Sequence, residues 1–322
     1  MAYLVRKLLH SILLFLAVSL LGFVLLAVAP GDFFSDLRLN PAMGATSMQH
    51  LRSQQELNLS LPVRYWHWMR GIFRGDWGVS MAYQVPIWPL LRARAVNTLL
   101  LTVTATSIAW FLALWLGIWV SMRRAGGVDR AVTFGTSLIL GIPDIMIGLL
   151  LLVWAVRTRS LPAGGMQSLA HASLPRAEQV VDTLRHLALP VTALVISAFP
   201  VLVRHVRSSM VEALEAAPIQ TARAAGVSRL RIALRHALPL ASNPLISLLG
   251  LSIAGLLSGS LLVEWIMSWP GLGPLLLEAI FARDTYVVLG TMMLSTLLLL
   301  TGNLFADFLL FVADPRTRDQ RL

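Results

Sequence analysis

APIQTARAAGVSRLRIALRHALP, residues Ala217 to Pro239, is a polar island rich in arginine and alanine, set between two long apolar segments. Pro218 suits the first turn of a helix, where its missing N–H is not needed, and Gly226 suits the position just past a helix end, where a left-handed backbone is wanted. The two bracket a short helix, Pro218 to Ala225. Apart from Ile219 it carries no large apolar side chain, and Ala222, Ala224 and Ala225 would let another protein's surface approach its backbone closely. Ser228 is placed to cap a second helix, in which Leu230, Ala233, Leu234 and Ala237 recur at three- and four-residue spacing, Arg229 and Arg235 fall elsewhere, and Pro239 closes the segment. Spacing alone admits two readings: a docking element, or a cytoplasmic loop of a membrane protein, basic as such loops usually are.

The surrounding chain decides the class. With 57% hydrophobic and 13% charged residues over 322 positions, the sequence is far more apolar than a soluble domain of that size. Apolar runs such as Leu8–Ala29 and Tyr286–Ala313 exceed the length needed to cross a bilayer. The expected fold is an all-α membrane protein with six transmembrane helices: Leu8–Ala29, Ala95–Val120, Ala131–Val156, His186–Val206, Ala241–Val263 and Tyr286–Ala313. Arg6 and Lys7 precede the first run, which is longer than a signal-peptide core and is read as a retained helix. Residues 1–30 form that first segment, 31–94 a long polar extracytoplasmic loop, 95–313 a five-helix core containing the cytoplasmic loop 210–240, and 314–322 a basic tail.

Details within this frame carry further expectations. Trp66, Met69 and Phe73 share a helical face beside Tyr65, Trp68 and Trp77, which fits either a helix lying on the membrane surface or a small subdomain packing those aromatics inside. Thr102, Thr104, Thr106 and Ser107 are expected to bond back to their own helix. Asp144 follows Gly141-Ile142-Pro143, and an ionisable residue at membrane depth needs a partner or a wet cavity, unless a helix interrupted near Pro143 sets it at an interface. Leu161-Pro162-Ala163-Gly164-Gly165 reads as a turn, and Pro190 and Pro200 should bend the fourth span. In the fifth, Gly250, Gly255 and Gly259 allow close packing or border a passage. Glu264 to Asp284 reads as a hairpin dipping into the outer leaflet. With both termini in the cytoplasm, about 14 of the 26 basic residues fall in short cytoplasmic segments, as the positive-inside rule asks. The net charge of +10 is therefore assigned to orientation and lipid head groups, with no nucleic-acid partner.

No catalytic pattern is present. There is no cysteine, no HExxH, no GxSxG, and no histidine pair at metal-ligand spacing, so no metal site is expected. A P-loop needs GxxxxGK[ST], yet Lys7 is the sole lysine and follows Arg6. If this chain transports with ATP, the ATPase is another polypeptide and must grip it on the cytoplasmic side.

At that point the island resembles the EAA loop of ABC importer permeases. Gln220-Thr221-Ala222 precede Gly226 by the family's spacing and His236-Ala237-Leu238-Pro239 follow it, with Gln220 in place of Glu and His236 in place of Ile. TARAAG followed by RHAL is similar to the form in the dipeptide/oligopeptide/nickel branch, although Pro218-Ile219 stand where that branch usually has an aromatic and Ala225 where lysine is common. Ala29-Pro30-Gly31-Asp32, Leu61-Pro62-Val63-Arg64-Tyr65, Gly75-Asp76-Trp77-Gly78-Val79-Ser80, Leu161-Pro162 with Gly164, Trp269-Pro270-Gly271-Leu272-Gly273, and Asp307 with Asp314-Pro315-Arg316 resemble its other elements, in order. The resemblance implies the type I importer fold and the first, B-type permease of a bacterial inner-membrane system. It further implies a second homologous permease, two ATPase subunits holding ATP and Mg, an extracytoplasmic solute-binding protein and surrounding lipid, with no cofactor or catalysis in this chain. Peptides are the implied substrates, with a metal chelate or peptide export as the alternative. An ATP-independent secondary transporter and a membrane-embedded enzyme are the rivals from other classes. The implied coupling residues are Pro218, Gln220, Thr221, Ala222, Arg223, Ala225, Gly226, His236 and Pro239. Asp144, Gly255 and Gly259 are the candidates for the pathway.

Overall fold

The computed structural model describes residues 2–28, 59–123 and 126–313, with side chains from Arg6 onward. Ala29-Pro30-Gly31-Asp32 and Asp314-Pro315-Arg316 lie outside the described residues. Within them the regular structure is helical, apart from one isolated bridge between Val79 and Pro86. Five helices are long and apolar enough to cross a membrane: α1 (Ala2–Val28), α3 (Ile87–Ser121), α6 (Arg176–Glu215), α8 (Arg229–Ile266) and α10 (Thr285–Ala313). The pair α4 (Gly127–Leu140) and α5 (Asp144–Thr158) supplies a sixth span if taken together, broken by a 94° bend. Between the long elements stand α2 (Leu61–Phe73), α7 (Ala217–Ala224) and α9 (Leu272–Phe281).

Several helices are longer than their apolar runs. The apolar run predicts a fourth span from His186 to Val206, whereas α6 covers 40 residues and runs without a break through Pro190 and Pro200. At 1.5 Å per residue it is roughly 60 Å long, about twice the hydrocarbon thickness. Helix continues past the lipid-compatible stretch because nothing in Arg176–Arg185 breaks it: the segment has no glycine or proline.

The chain divides into two compact units. One holds Thr98–Trp269 with the ends of the chain, and its core is built on α6. Leu189, Ala193, Leu202, Val203, Val206 and Met210 of α6 are buried there. From α3, Leu101, Ala105, Ala109 and Ala113 add a face at strict four-residue spacing. Small residues let backbones close up. A Cβ added at Gly117 would stand 2.6 Å from Val206 Cγ1 and 3.2 Å from the Arg207 backbone nitrogen, and one at Gly302 would stand 2.5 Å from Ile253 Cγ2. Such contacts, and not a hydrophobic drive, hold helices together in lipid. Thr102, Thr104 and Ser107 bond back to Thr98, Leu100 and Val103 carbonyls at 2.8, 2.6 and 2.8 Å. The turn after α5 is tied to the end of α8 by Gly165 N–H donating to the Met267 carbonyl at 3.0 Å.

The other unit holds Leu9–Asn97 with Pro270–Leu298. Here the two readings of the aromatic segment divide it between them. Trp68 and Met69 of α2 are buried with Phe23, Leu289 and Met293, and the Tyr65 hydroxyl meets Ser19 Oγ at 2.8 Å. Trp66 and Phe73 are exposed, so the face proposed from spacing is split by the packing of Met69. The segment after α2 is anchored on buried Asp284, whose Oδ2 accepts from Ser80 Oγ at 2.6 Å and Ala82 N–H at 3.0 Å. Asp284 also caps α10 through Val287 N–H. Beside it the Tyr83 hydroxyl donates to Glu278; burial and then that hydrogen bond push Tyr83 up to about 12.

The glycine contacts set a stability contrast. Gly117→Ala should lower the melting temperature of the detergent-purified protein by several degrees, the equivalent of about 1–3 kcal/mol of overpacking. Gly255→Ala, whose Cβ would meet nothing within 4 Å, should leave it unchanged. Tryptophan-fluorescence melts of the two variants check this.

Candidate functional site

Two places in the first unit gather the residues singled out from sequence. One is the connection between α6 and α8. After Glu215 the backbone turns extended at Ala216, with φ −62° and ψ 145°, and α7 begins with Pro218 in its first turn. Its single large apolar side chain, Ile219, is buried in the core. Pro218, Gln220, Thr221, Arg223 and Ala225 are exposed, and Ala222 is half-buried. The helix ends in a Schellman turn: Val227 N–H donates to the Ala222 carbonyl at 3.2 Å and Gly226 N–H to the Arg223 carbonyl at 3.1 Å. Gly226 has φ +77° and open space around it, so glycine is required there by backbone conformation and not by room. The expected helix therefore exists, shifted by one residue.

The second half of the island departs from its reading. Ser228 stands at the N-cap but makes no side-chain cap bond. Over Ile232–Ala237 the helix widens into π turns, whose bonds reach one residue further. The buried set is therefore Ile232, Ala233 and Ala237, while Leu230 and Leu234 are exposed. A periodicity of 3.6 mis-phases this segment because its actual period is longer. Pro239 does not close the helix either; it lies in the first turn of the α-helical stretch Leu238–Ile266. A proline lacks the N–H that an α-helical interior would use, and the change of bonding register just before it is where that loss is tolerated. His236, within the π turns, is exposed. A cleft of about 560 Å³ runs beside α7, with Ser121, Glu215, Gln220, Arg223 and Arg229 on its walls.

The other place is a cavity of about 420 Å³ whose lining includes Asp144, Ser197, His205, Ser252, Gly255 and Gly259. Helical spacing explains its walls. Leu194, Ser197, Ala198, Val201, Leu202 and His205 form one stripe of α6, and the face carrying Ser252, Gly255 and Gly259 does the same for α8. The break between α4 and α5 delivers the third wall. Gly141-Ile142-Pro143 interrupts the span, and Asp144 opens α5. Its carboxylate accepts no hydrogen bond and forms no ion pair among the described residues. The three glycines of the fifth span part ways. A Cβ on Gly250 would stand 2.8 Å from the Ala306 Cβ, whereas Gly255 and Gly259 face open space.

Sequence reasoning missed Ser197 and His205. The available signal was their common phase on α6, eight residues apart. It also missed the tie between Asp129 and Arg207, a two-pronged ion pair with Arg207 Nη2 2.7 Å from Asp129 Oδ2 and the Arg207 Nε donating to Oδ1. This pair fixes the first turn of α4 against α6.

Comparison with known proteins adds to this geometry. Residues 113–319 match the family described as "binding-protein-dependent transport system inner membrane component", and residues 1–106 match its N-terminal membrane component. The chain is similar to the oligopeptide transport system permease protein AppB of Bacillus subtilis (strain 168), at 33% identity over 98% of each chain. It is also similar to the dipeptide transport system permease protein DppB of Escherichia coli (strain K12), at 30% identity over 99% of each, and to the glutathione transport system permease protein GsiC of Salmonella choleraesuis (strain SC-B67), at 31% over 98% of each. Among solved structures, an inward-facing conformation of the MetNI methionine ABC transporter matches with a TM-score of 0.58 at 17% identity, over 70% of this chain and 96% of that one.

The Asp129–Arg207 pair is half sheltered, so removing one partner strands the other. Asp129→Ala should destabilise the protein by about 1.5–3 kcal/mol, the range for hydrogen bonds to charged groups. In a double-mutant cycle with Arg207→Ala, read from detergent melts, much of that loss should appear as coupling energy.

Proposed function

We infer the function from one premise: the chain belongs to the family of inner membrane components of binding-protein-dependent transport systems. It is a multi-pass permease subunit of an ABC importer, and its relatives over the full length are named as peptide permeases. In our reading the transported class is peptides, and the chain forms half of the pathway. The other half is a second homologous permease, two ATPase subunits bind ATP and Mg, and a binding protein delivers substrate from outside. Both termini and α7 are placed in the cytoplasm, and loop 31–94 outside.

One observation carries the mechanism. α7 is a short helix whose two ends lead directly into α6 and α8, and these are the helices that wall the cavity of Asp144, Gly255 and Gly259. A force on α7 therefore acts on both walls at once. We assign α7 as the coupling helix, seated in a cleft of the ATPase. Gln220, Thr221, Arg223 and Ala225 are exposed for that contact, and Ala222, half-buried, lets the partner come close. Pro218 starts the helix and Gly226 ends it, which sets its length. His236 and Pro239 stand at and after the π turns, where motion of α7 enters α8. When ATP closes the ATPase dimer the seated helix is carried along and the passage opens outward; hydrolysis returns it inward. To move a two-state passage from 1:99 to 99:1, ATP must favour the outward state by about 5.5 kcal/mol.

Two measurements test this. Proteoliposomes containing the chain with its second permease, ATPases and binding protein should accumulate alanyl-alanine only with ATP; movement by the chain alone down an ion gradient would contradict the assignment. Gly226→Val forces a β-branched residue to φ +77° at a cost of about 1–3 kcal/mol. It should cut uptake by about tenfold or more while the protein still inserts and the ATPases still turn over, and normal coupled uptake would remove α7 from the coupling role.

A further inference from the structure

We propose that the cavity between α5, α6 and α8 holds a positively charged side chain of the substrate, with Asp144 as its counter-charge. This rests on the reading of the chain as a peptide permease, and it assigns the pathway a charge preference of its own, separate from the binding protein's selection.

The argument begins with the other aspartates. Among the described residues, Asp76 accepts from Gly78 N–H, Asp129 holds Arg207, Asp182 accepts from Ser168 N–H, Asp284 holds Ser80, and Asp307 pairs with Lys7 at 3.1 Å. Each has structural work. Asp144 has no such bond, and it is the sole carboxylate in the cavity lining, which contains no lysine or arginine. Its place in the first turn of α5 suits a negative charge, yet that advantage is only about 0.3–1 kcal/mol at an exposed site and does not require a cavity.

The other polar groups sort themselves. Ser252 is already committed, accepting from Trp110 Nε1 at 2.8 Å and donating to the Leu249 carbonyl at 2.8 Å. Ser197 Oγ is shut off from solvent with no partner, an orphan hydroxyl in the cavity wall. His205 lines the same cavity, is exposed and makes no hydrogen bond among the described residues. Asp144 is exposed at the cavity, and the rest of the wall is largely leucine, which offers an entering charge few polar partners besides that carboxylate. Gly255 and Gly259 leave the space open for an ammonium or guanidinium group, and an anionic group would be repelled.

The test uses the complete transporter in proteoliposomes with three probes: lysyl-alanine, alanyl-alanine and aspartyl-alanine. Asp144→Asn should lower uptake of lysyl-alanine relative to aspartyl-alanine by about tenfold, and Asp144→Glu should restore most of the preference. Equal changes for all three probes would overturn the proposal and leave the peptide reading standing. No uptake of any probe by the unaltered transporter would overturn both. The membrane level of each variant is measured alongside, and if Asp144→Asn does not accumulate, Asp144→Ser carries the same comparison.

Discussion

A backbone amide inside hydrocarbon has no water to bond, so each N–H and C=O in a spanning segment must find its partner within the protein. That constraint makes every long element among the described residues a helix, and it makes each departure from regular helix informative. Three of these departures, among the described residues of the first unit, bear on the cavity and on α7: the break at Gly141-Ile142-Pro143, the turn from α6 into α7, and the π turns over Ile232–Ala237. The first presents Asp144 to a cavity. The other two flank the short helix that joins the cavity's walls.

Because lipid gives little drive for helices to associate, the walls are held by shape. Gly117, Gly250 and Gly302 each sit where a side chain would collide with a neighbour. Gly255 and Gly259 belong to the same residue type and do the opposite, leaving volume unfilled. Close packing at Gly117, Gly250 and Gly302 and open space in the cavity of Asp144 come from one sequence device used in two environments.

Much of this was legible in the sequence. Apolar run length gave six spans, counting the bent pair as one, and Pro218 with Gly226 gave the short helix to within a residue, because both signals depend on local backbone chemistry. The errors have a common origin in tertiary structure. Leu230 and Leu234 share a helical spacing with Ala233 and Ala237, yet only the two alanines are buried where the π turns replace the 3.6-residue period, and Pro239 reads as a stop because a bonding-register change leaves no trace in composition. Ser197 and His205 escaped notice because only the packing of α5 and α8 against α6 makes their shared face a wall. Met69 likewise was drawn inside by Phe23 and Leu289, residues far from it in the chain. The coupling role is inferred from motif order, whereas the pathway candidates are inferred from residue chemistry: a carboxylate at membrane depth at Asp144, small residues at Gly255 and Gly259.

The length of α6 has a mechanical side. A rod of roughly 60 Å set in a hydrocarbon layer of about 30 Å is a lever with arms outside the lipid, and tilting it by about 5° carries one tip about 5 Å past the other. Pro190 and Pro200, ten residues apart within it, each omit one rung of the hydrogen-bond ladder. The lever thus has two built-in compliant points between stiff segments, and bending work is concentrated there instead of being spread along the whole shaft.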